Sequence, residues 1–190
     1  MFLKLFNKNH FRIYLNIILI IFLTNKLFGQ TSEYDIKAVY FENFSRFIEW
    51  PNTSEIEDTG RVFILAVIGD NPFNSKLEKI YKNNKIRNKK VRIKYIKSVD
   101  EISACHMLFV GTSVKNQLAQ IFTWAYKNNV VTIADSPGFG EKGVLINFYL
   151  ENGKVLFEIN YDAVRKSNIH ISYLLLKLAR IIGVGNNALK

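Results

Sequence analysis

The chain has 190 residues, a formal net charge of +10 and a single cysteine. Residues 1–29 hold four of the basic side chains, so the remainder carries about +6, which is basic without being extreme. The lone Cys105 excludes an internal disulfide. We expect Cys105 to be buried, because free cysteine is among the most buried residue types, and an intermolecular bridge is the alternative.

Residues 1–29 have the order of a secretory signal peptide: basic residues without acidic ones, an apolar stretch over 13–24, and small Gly29 at the end. The apolar stretch is short for a membrane span, which needs about 20 residues. We expect cleavage near Gly29, leaving residues 30–190 as one domain large enough to bury a core. The alternative is an uncleaved N-terminal membrane anchor, because Leu27 suits processing poorly. After export, nucleic acid is not expected as a partner, whereas anionic lipids and acidic protein surfaces remain open.

The first predicted element is an amphipathic helix over Glu33 to Trp50, ended by Pro51. Its apolar residues recur at three- and four-residue steps, and stripes of this kind usually belong to the core, although a dimer seam is the alternative. The predicted inward face consists of Ile36, Val39, Tyr40, Phe44, Phe47 and Ile48. Acidic residues at seven-residue steps resemble catalytic carboxylates, but a solvated face with Glu42 paired to Arg46 is favoured.

A polar loop over residues 52–60 precedes a nearly continuous apolar run, Val62 to Ile68, which is typical of a strand buried on both faces. Gly69 to Pro72 then ends the strand and starts a helix to Tyr81, with Asn71 as its cap. The following run over 82–97 contains eight Lys or Arg residues among sixteen. Its alternating apolar positions predict a half-exposed strand whose lysines protect a sheet edge. A phosphate-binding stripe is the alternative.

Two further βα steps follow. Strands are predicted over Ala104 to Val110 and Val130 to Ala134, with a helix over Lys115 to Lys127 between them. The inward face of that helix is predicted to be Leu118, Ile121, Phe122 and Ala125. Alternating strands and helices with short links predict a doubly wound sheet.

The C-terminal third adds an antiparallel hairpin, with strands over Val144 to Leu150 and Lys154 to Ile159 joined by an Asn-Gly turn. A final helix is predicted over Ser172 to Ile182, with an apolar stripe. The sequence therefore predicts a single α/β domain, a Rossmann-like three-layer sandwich with a mostly parallel sheet and an antiparallel C-terminal hairpin.

Most motifs that suggest chemistry have the wrong context. Residues 138–143 match the G-x-G-x-x-G dinucleotide fingerprint, with Asp162 about twenty residues on, but a strand follows where the fingerprint needs a helix. The glycines are therefore interpreted as turn residues. Cys105 and His106 are neighbours on a strand and point to opposite faces, so they do not readily share a metal ion. No metal or nucleophile motif is present, so we expect no metal, no cofactor and no enzyme.

One constellation remains as a candidate binding site. In open α/β sheets, ligands lie beyond the carboxyl ends of the strands, and Asp70, Ser113 and Asp135 are predicted there. They predict a groove for a small ligand or peptide, and caps and turn residues are the alternative. Glu158 and Asn160, at the end of a strand, either fix the following turn or line a recognition surface.

Several motifs, in order along the domain, resemble the YfiR family, and they are specific only jointly. They are residues 37–51 (KAVYFENFSRFIEWP), 69–73 (GDNPF), 105–109 (CHMLF), 138–139 with 143–148, 157–160 (FEIN) and 171–180. Phe73 and Phe139 lie inside these motifs and join Asp70, Ser113, Asp135, Glu158 and Asn160 as candidate binding residues.

The resemblance implies a periplasmic regulator, without catalysis, that binds an inner-membrane diguanylate cyclase and holds it inactive. It also implies release by an outer-membrane lipoprotein, and hence a role in cyclic di-GMP signalling and biofilm formation. The sensor region of a histidine kinase is an alternative partner, a homodimer is a further expectation, and a periplasmic small-ligand sensor is the alternative function. Family members often bridge the cysteine of the Cys-His motif. Cys105 has no partner in this chain, which argues against redox control by an internal bridge.

Overall fold

The structure is a computed structural model that describes residues 33–51 and 62–183. The predicted signal segment and the predicted loop over 52–60 lie outside these residues. None of the helices in the described ranges has the length and hydropathy of a membrane span.

The described residues form six α-helices and ten strands. The helices are α1 (33–46), α2 (Lys76–Tyr81), α3 (Leu118–Lys127), α4 (Phe139–Lys142), α5 (Tyr161–Lys166) and α6 (Tyr173–Leu178). The strands are β1 (Ile48–Glu49), β2 (Phe63–Ile68), β3 (Lys85–Ile86), β4 (Lys89–Ile96), β5 (Met107–Val110), β6 (Val131–Ala134), β7 (Ile146–Glu151), β8 (Lys154–Asn160), β9 (His170–Ile171) and β10 (Arg180–Ile182). Short 3-10 turns precede β5 and α3.

Eight strands form one sheet in the order β10-β8-β7-β6-β5-β2-β4-β3, and β1 pairs separately with β9. Strands β4, β2, β5, β6 and β7 run parallel. In chain order they have the arrangement 2-1-3-4-5, which is one of the common doubly wound orders. The β7-β8 hairpin is antiparallel, with Asn152 and Gly153 at φ 52° and 73°, as a type I′ turn requires. The predicted α/β class and hairpin are thus confirmed.

The sheet is covered on both faces, because successive residues of a buried strand point to opposite sides. In β2, Leu65 and Val67 pack in one core cluster with α1 and α2, whereas Ala66 and Ile68 pack in a second cluster with α3. The four predicted inward residues of α3 are its buried residues, as expected. The result is the predicted three-layer arrangement.

For the first helix, the predicted C-terminal end was wrong and the predicted buried face was partly wrong. It ends at residue 46, because residues 47–49 pair with the chain near Ile171, including a bond from the backbone N–H of Ser172 to the carbonyl of Phe47 (2.8 Å). Ile36 and Val39, predicted to point inward, are 45% and 46% exposed. Phe44 is buried as predicted, and the helix also buries Lys37, Ala38 and Phe41, which were not predicted to point inward.

Two other helix predictions were wrong. Asn71 does not cap a helix: it accepts a bond from the N–H of Phe73 (3.0 Å) in a local turn, and α2 begins only at Lys76. The predicted C-terminal helix over 172–182 ends at Leu178, because residues 180–182 join the sheet beside β8. The end of this helix was thus decided by β8, the strand that pairs with residues 180–182 and lies far away in the sequence.

The basic run contains β4, whose residues 91–96 pair with β2 on one side, while β3 covers only Lys89 and Lys90 on the other. The predicted edge position is therefore confirmed for most of the strand. Strand β5 begins at Met107 rather than Ala104, and the Gly138–Gly143 segment contains one helical turn, α4, which the turn prediction missed.

Candidate functional site

A cleft of about 590 Å³ opens at the carboxyl ends of β6 and β7. It lies between the start of α1, the β6-α4 loop and the sheet edge, and it is lined by residues from each of these parts. In open α/β sheets ligands usually bind beyond the carboxyl ends of the strands where the strand order reverses, which here is between β2 and β5, and the cleft lies further along the same edge. Asp135 and Glu158 are the two predicted binding residues that line it.

Asp135 joins α1 to the sheet. Its Oδ2 accepts bonds from the Tyr34 hydroxyl (2.9 Å) and from the Lys37 ammonium (2.8 Å), and Lys37 also contacts Glu33. The Lys37 side chain is 4% exposed, so its charge depends on these two carboxylates for compensation. Burial, and then the nearby Asp135 carboxylate, raise the pKa of Tyr34 above its usual value.

Glu158 forms the inner wall of the cleft and is 2% exposed. It accepts bonds from the Arg180 guanidinium (2.5 and 3.1 Å) and from the Asn147 amide (3.0 Å). The bond to Glu158 raises the pKa of Arg180 above its already high value. Arg180 also lies 4.0 Å from the ring centroid of Tyr149, a cation-π distance.

Asn147 has an acceptor without a partner. Its amide nitrogen donates to the carbonyl of Ser136 (3.2 Å) and to Glu158, while its Oδ1 is buried and has no hydrogen-bond partner in the described structure. Buried polar atoms are nearly always paired, so this oxygen calls for an explanation.

The glycine motif is explained by packing against Glu158. A Cβ at Gly140 would lie 2.4 Å from Glu158 Oε1 and 2.7 Å from Ile182 Cδ1. Gly138 and Gly143, at the two ends of α4, have positive φ angles of 76° and 119°. The glycines therefore permit a tight helical turn over a buried carboxylate, and the predicted turn conformation is found at Gly138 and Gly143 but not in α4 between them.

Asp70 and Ser113 pair with each other at the point where the strand order reverses, between β2 and β5. The Ser113 N–H donates to Asp70 Oδ1 and the Asp70 N–H donates to Ser113 Oγ, both at 2.8 Å. A Cβ at Gly111 would lie 2.4 Å from Asp70 Oδ1. These two residues therefore join two loops, as the turn interpretation expects.

The remaining predicted site residues are buried. Phe73 is 0% exposed and packs edge-on against Tyr34 and Phe109, and Phe139 is 3% exposed in the cluster under α4. Asn160 caps α5 by accepting a bond from the Ala163 N–H (2.9 Å), and it donates to the carbonyl of Gly140 (2.7 Å). Asn160 thus fixes the turn that follows its strand.

Cys105 and His106 point to opposite faces, as predicted. Cys105 is a free thiol buried in the cluster with α3, and burial raises its pKa to about 12. The His106 ring stacks on Phe63, and its Nδ1 accepts a bond from the Ile64 N–H (2.8 Å). Within the described ranges, no group of three or more His, Cys, Asp or Glu side chains is placed to hold a metal ion.

The cleft residues that sequence reasoning missed include Tyr34, Lys37, Ser136, Asn147 and Arg180. Two of them carried a usable signal. Lys37 precedes the buried Ala38 and Phe41 by one and four positions, and Asn147 interrupts the apolar run of β7. A polar residue inside an apolar pattern is more informative than a polar residue in a loop.

The fold and the cleft define a doubly wound α/β domain with a polar pocket at its carboxyl edge. Residues 34–180 match the family model described as YfiR/HmsC-like, so the chain belongs to this family. The family consists of regulatory, non-catalytic domains and is associated with cyclic di-GMP signalling and the periplasm.

Among solved structures, the chain is similar to one described as the ABC domain in complex with L-Trp from Streptococcus pneumonia. The identity is 12% and the TM-score 0.49, with 65% of this chain and 56% of that chain covered. The chain thus spans little more than half of that structure. The sequence matches no curated protein.

Proposed function

We propose that the mature chain is a periplasmic regulator that binds the periplasmic part of an inner-membrane diguanylate cyclase and represses it by direct contact. Membership of the YfiR/HmsC-like family over residues 34–180 carries this proposal. The predicted signal segment, which would bring the domain to the same compartment as that region of the enzyme, supports it.

A surface on α6 suits a protein partner. Three of its six residues are large, apolar and more than half exposed: Tyr173, Leu174 and Leu178, at 58%, 61% and 71%. Leu174 and Leu178 are one turn apart and therefore share a side of the helix. We call these three residues the α6 apolar surface. Clustered exposed apolar side chains often mark contact sites, and we assign this surface to the membrane enzyme.

The two cations of the cleft are bound by partners within the protein. Lys37 pairs with Glu33 and Asp135, and Arg180 pairs with Glu158, so each of these cations is already compensated. The charged groups therefore hold α1 and β10 on the sheet.

The first test is genetic. Deleting the gene should raise intracellular cyclic di-GMP and biofilm, and the wild-type gene should restore both. The variant Leu174→Lys/Leu178→Lys should fold but fail to restore them, because lysines replace the apolar contact. The control is Ile36→Lys, which changes an apolar residue on α1 that is also exposed, at 45%. Unchanged cyclic di-GMP in the deletion strain would contradict the proposal, as would full repression by the double variant.

The second test identifies the partner. Crosslinking in intact cells should capture a membrane-anchored diguanylate cyclase with the wild-type protein and lose it with the Leu174→Lys/Leu178→Lys variant. Capture of a histidine kinase would replace the proposed enzyme by that partner. Recovery of the uncleaved chain from the cytosol would contradict periplasmic repression altogether.

A further inference from the structure

We infer that one face of the β3-β4 sheet edge binds the surface of an anionic lipid bilayer through a row of four cations. They are Lys85, Lys90, Arg92 and Lys94, and we call them the β4 basic surface. This surface goes beyond the proposed repression and does not depend on it, because it is defined by the charges and the pairing of these two strands.

The pairing register places the four cations on one face of the sheet edge. Lys85 lies directly opposite Lys90 in the antiparallel β3-β4 pair, and Arg92 and Lys94 follow Lys90 at two-residue steps. Cross-strand partners share a face, and so do alternate residues of one strand. The other face of this hairpin is buried, because the neighbouring cross-strand pair is at most 3% exposed. The four cations therefore form a row on the side opposite to that core.

The charge of this row is not compensated within the described part of the protein. Residues 82–97 contain eight Lys or Arg residues and no Asp or Glu. Three of the four cations are exposed and form no hydrogen bond or ion pair in the described ranges. The fourth, Lys94, donates hydrogen bonds to uncharged oxygens, the hydroxyl of Ser103 (3.0 Å) and the carbonyl of Ala104 (3.4 Å). The positive charge of the row is thus available to an anionic partner.

The Lys85-Lys90 pair independently points to an anion. Like charges directly opposite each other in a sheet are destabilising, so this pair lowers the stability of the free protein. Protection of the sheet edge does not account for it. Charges protect a strand whose outer side is open, as at Arg92 and Lys94, whereas β3 already covers Lys90. An anion bound between the two ammonium groups removes their repulsion.

The arrangement of the row fits a bilayer better than a small anion or a protein. Alternate residues of a strand are about 6.7 Å apart, so the charges stand side by side and do not surround one point. The centres of protein interfaces are depleted in lysine, and three of these four residues are lysines. An anionic bilayer presents many phosphate groups in one plane and attracts each nearby Lys or Arg.

The β4 basic surface and the α6 apolar surface lie toward opposite ends of the sheet. Strands β3 and β10 are its two edges, and α6 leads directly into β10. A domain held on lipid through the β3-β4 edge therefore keeps the α6 apolar surface free for a protein partner.

The test measures cosedimentation of the purified protein with vesicles of phosphatidylcholine, alone or mixed with an equal amount of phosphatidylglycerol. The protein should bind the anionic vesicles, should leave the neutral vesicles unbound, and should be released as the salt concentration rises, because salt screens exposed charges. Equal binding to both kinds of vesicle would overturn the inference. Tighter binding to soluble polyglutamate or to inorganic phosphate than to the anionic vesicles would also overturn it.

A matched pair of variants locates the surface. Lys90→Gln/Arg92→Gln should weaken binding to the anionic vesicles about thirtyfold, because each cation near such a surface contributes about fivefold. Arg165→Gln/Lys166→Gln removes the same two charges from exposed positions on α5, which follows β8 toward the other end of the sheet. This control should weaken binding by no more than about twofold, because its charges lie far from the lipid. An equal loss in both variants would show a response to net charge alone and would overturn the assignment.

Reversal of one charge gives a second readout. Lys85→Glu places opposite charges across the strand pair, so it should raise the melting temperature by about 3 °C while it weakens vesicle binding. A gain in stability together with a loss of binding is not expected of a purely structural residue. Wild-type binding by this variant, or an unchanged melting temperature, would contradict the inference. Because binding is measured with lipid alone, its failure and a failure of repression in cells are separate results.

Discussion

Replacement of Lys37 by methionine tests the ion pairs that hold α1 against the edge of the sheet. The Lys37 ammonium is 4% exposed and contacts two carboxylates, on Glu33 and Asp135, which are themselves 18% and 10% exposed. Methionine keeps most of the length of the side chain but removes its charge. Two partly buried carboxylates are then left close together without a cation.

The expected loss follows from this geometry. Removing one partner of a buried ion pair costs about 3–5 kcal/mol of unfolding free energy, and we expect the lower end, because water can reach Glu33. For a domain of this size, about 3 kcal/mol lowers the melting temperature by about 6–12 °C. Thermal unfolding followed by circular dichroism measures it.

The chain offers a matched control in a second ion pair of α1, which is formed with α2. Lys76 pairs with Asp35 at 2.6 Å, but Asp35 is 50% exposed. Lys76→Met should therefore cost less than about 1 kcal/mol. Combining Lys37→Met with Asp135→Asn should cost less than the sum of the two single changes, with a coupling of about 1–3 kcal/mol. Equal effects of Lys37→Met and Lys76→Met would refute the reasoning.

Two further predictions concern buried groups. Gly140→Ala should lower the unfolding free energy by about 1–3 kcal/mol in urea titrations, because the new Cβ meets the buried Glu158 carboxylate and Ile182; an unchanged midpoint would speak against this packing. Cys105 should stay unmodified by a thiol reagent at pH 8 in the native protein and react once the protein is unfolded, because burial raises its pKa to about 12. The pKa of Cys105 in the folded protein lies above the ordinary value of 9.0, so burial of the neutral thiol contributes fully to stability below pH 9, and this contribution is lost as the pH rises toward 12. Fast labelling of the native protein would contradict the prediction.

The sequence predicted the parts of the fold that depend on local patterns. Buried strands appear as apolar runs, as in β2, and the inward face of α3 follows from its helical spacing. The Asn152-Gly153 turn follows from residues that accept positive φ. The ordered motifs also indicated the family that the match over residues 34–180 establishes.

The candidate site was predicted only in part, for a physical reason. Asp135 and Glu158 were found, because polar residues at strand ends are conspicuous. Their partners were not, since Lys37 lies 98 positions from Asp135 and Arg180 lies 22 positions from Glu158. Nothing in a local pattern states which distant side chain will compensate a buried charge.

What the sequence determined by itself is the alternation of buried strands, helices and turns, because each reflects backbone preferences and hydrophobic spacing over a few neighbouring residues. The tertiary structure alone decided where α1 ends, that residues 180–182 form a strand, and that Asn147 keeps a buried oxygen unpaired. These outcomes depend on hydrogen-bond partners supplied from elsewhere in the chain, and such partners are defined only after the layers have packed.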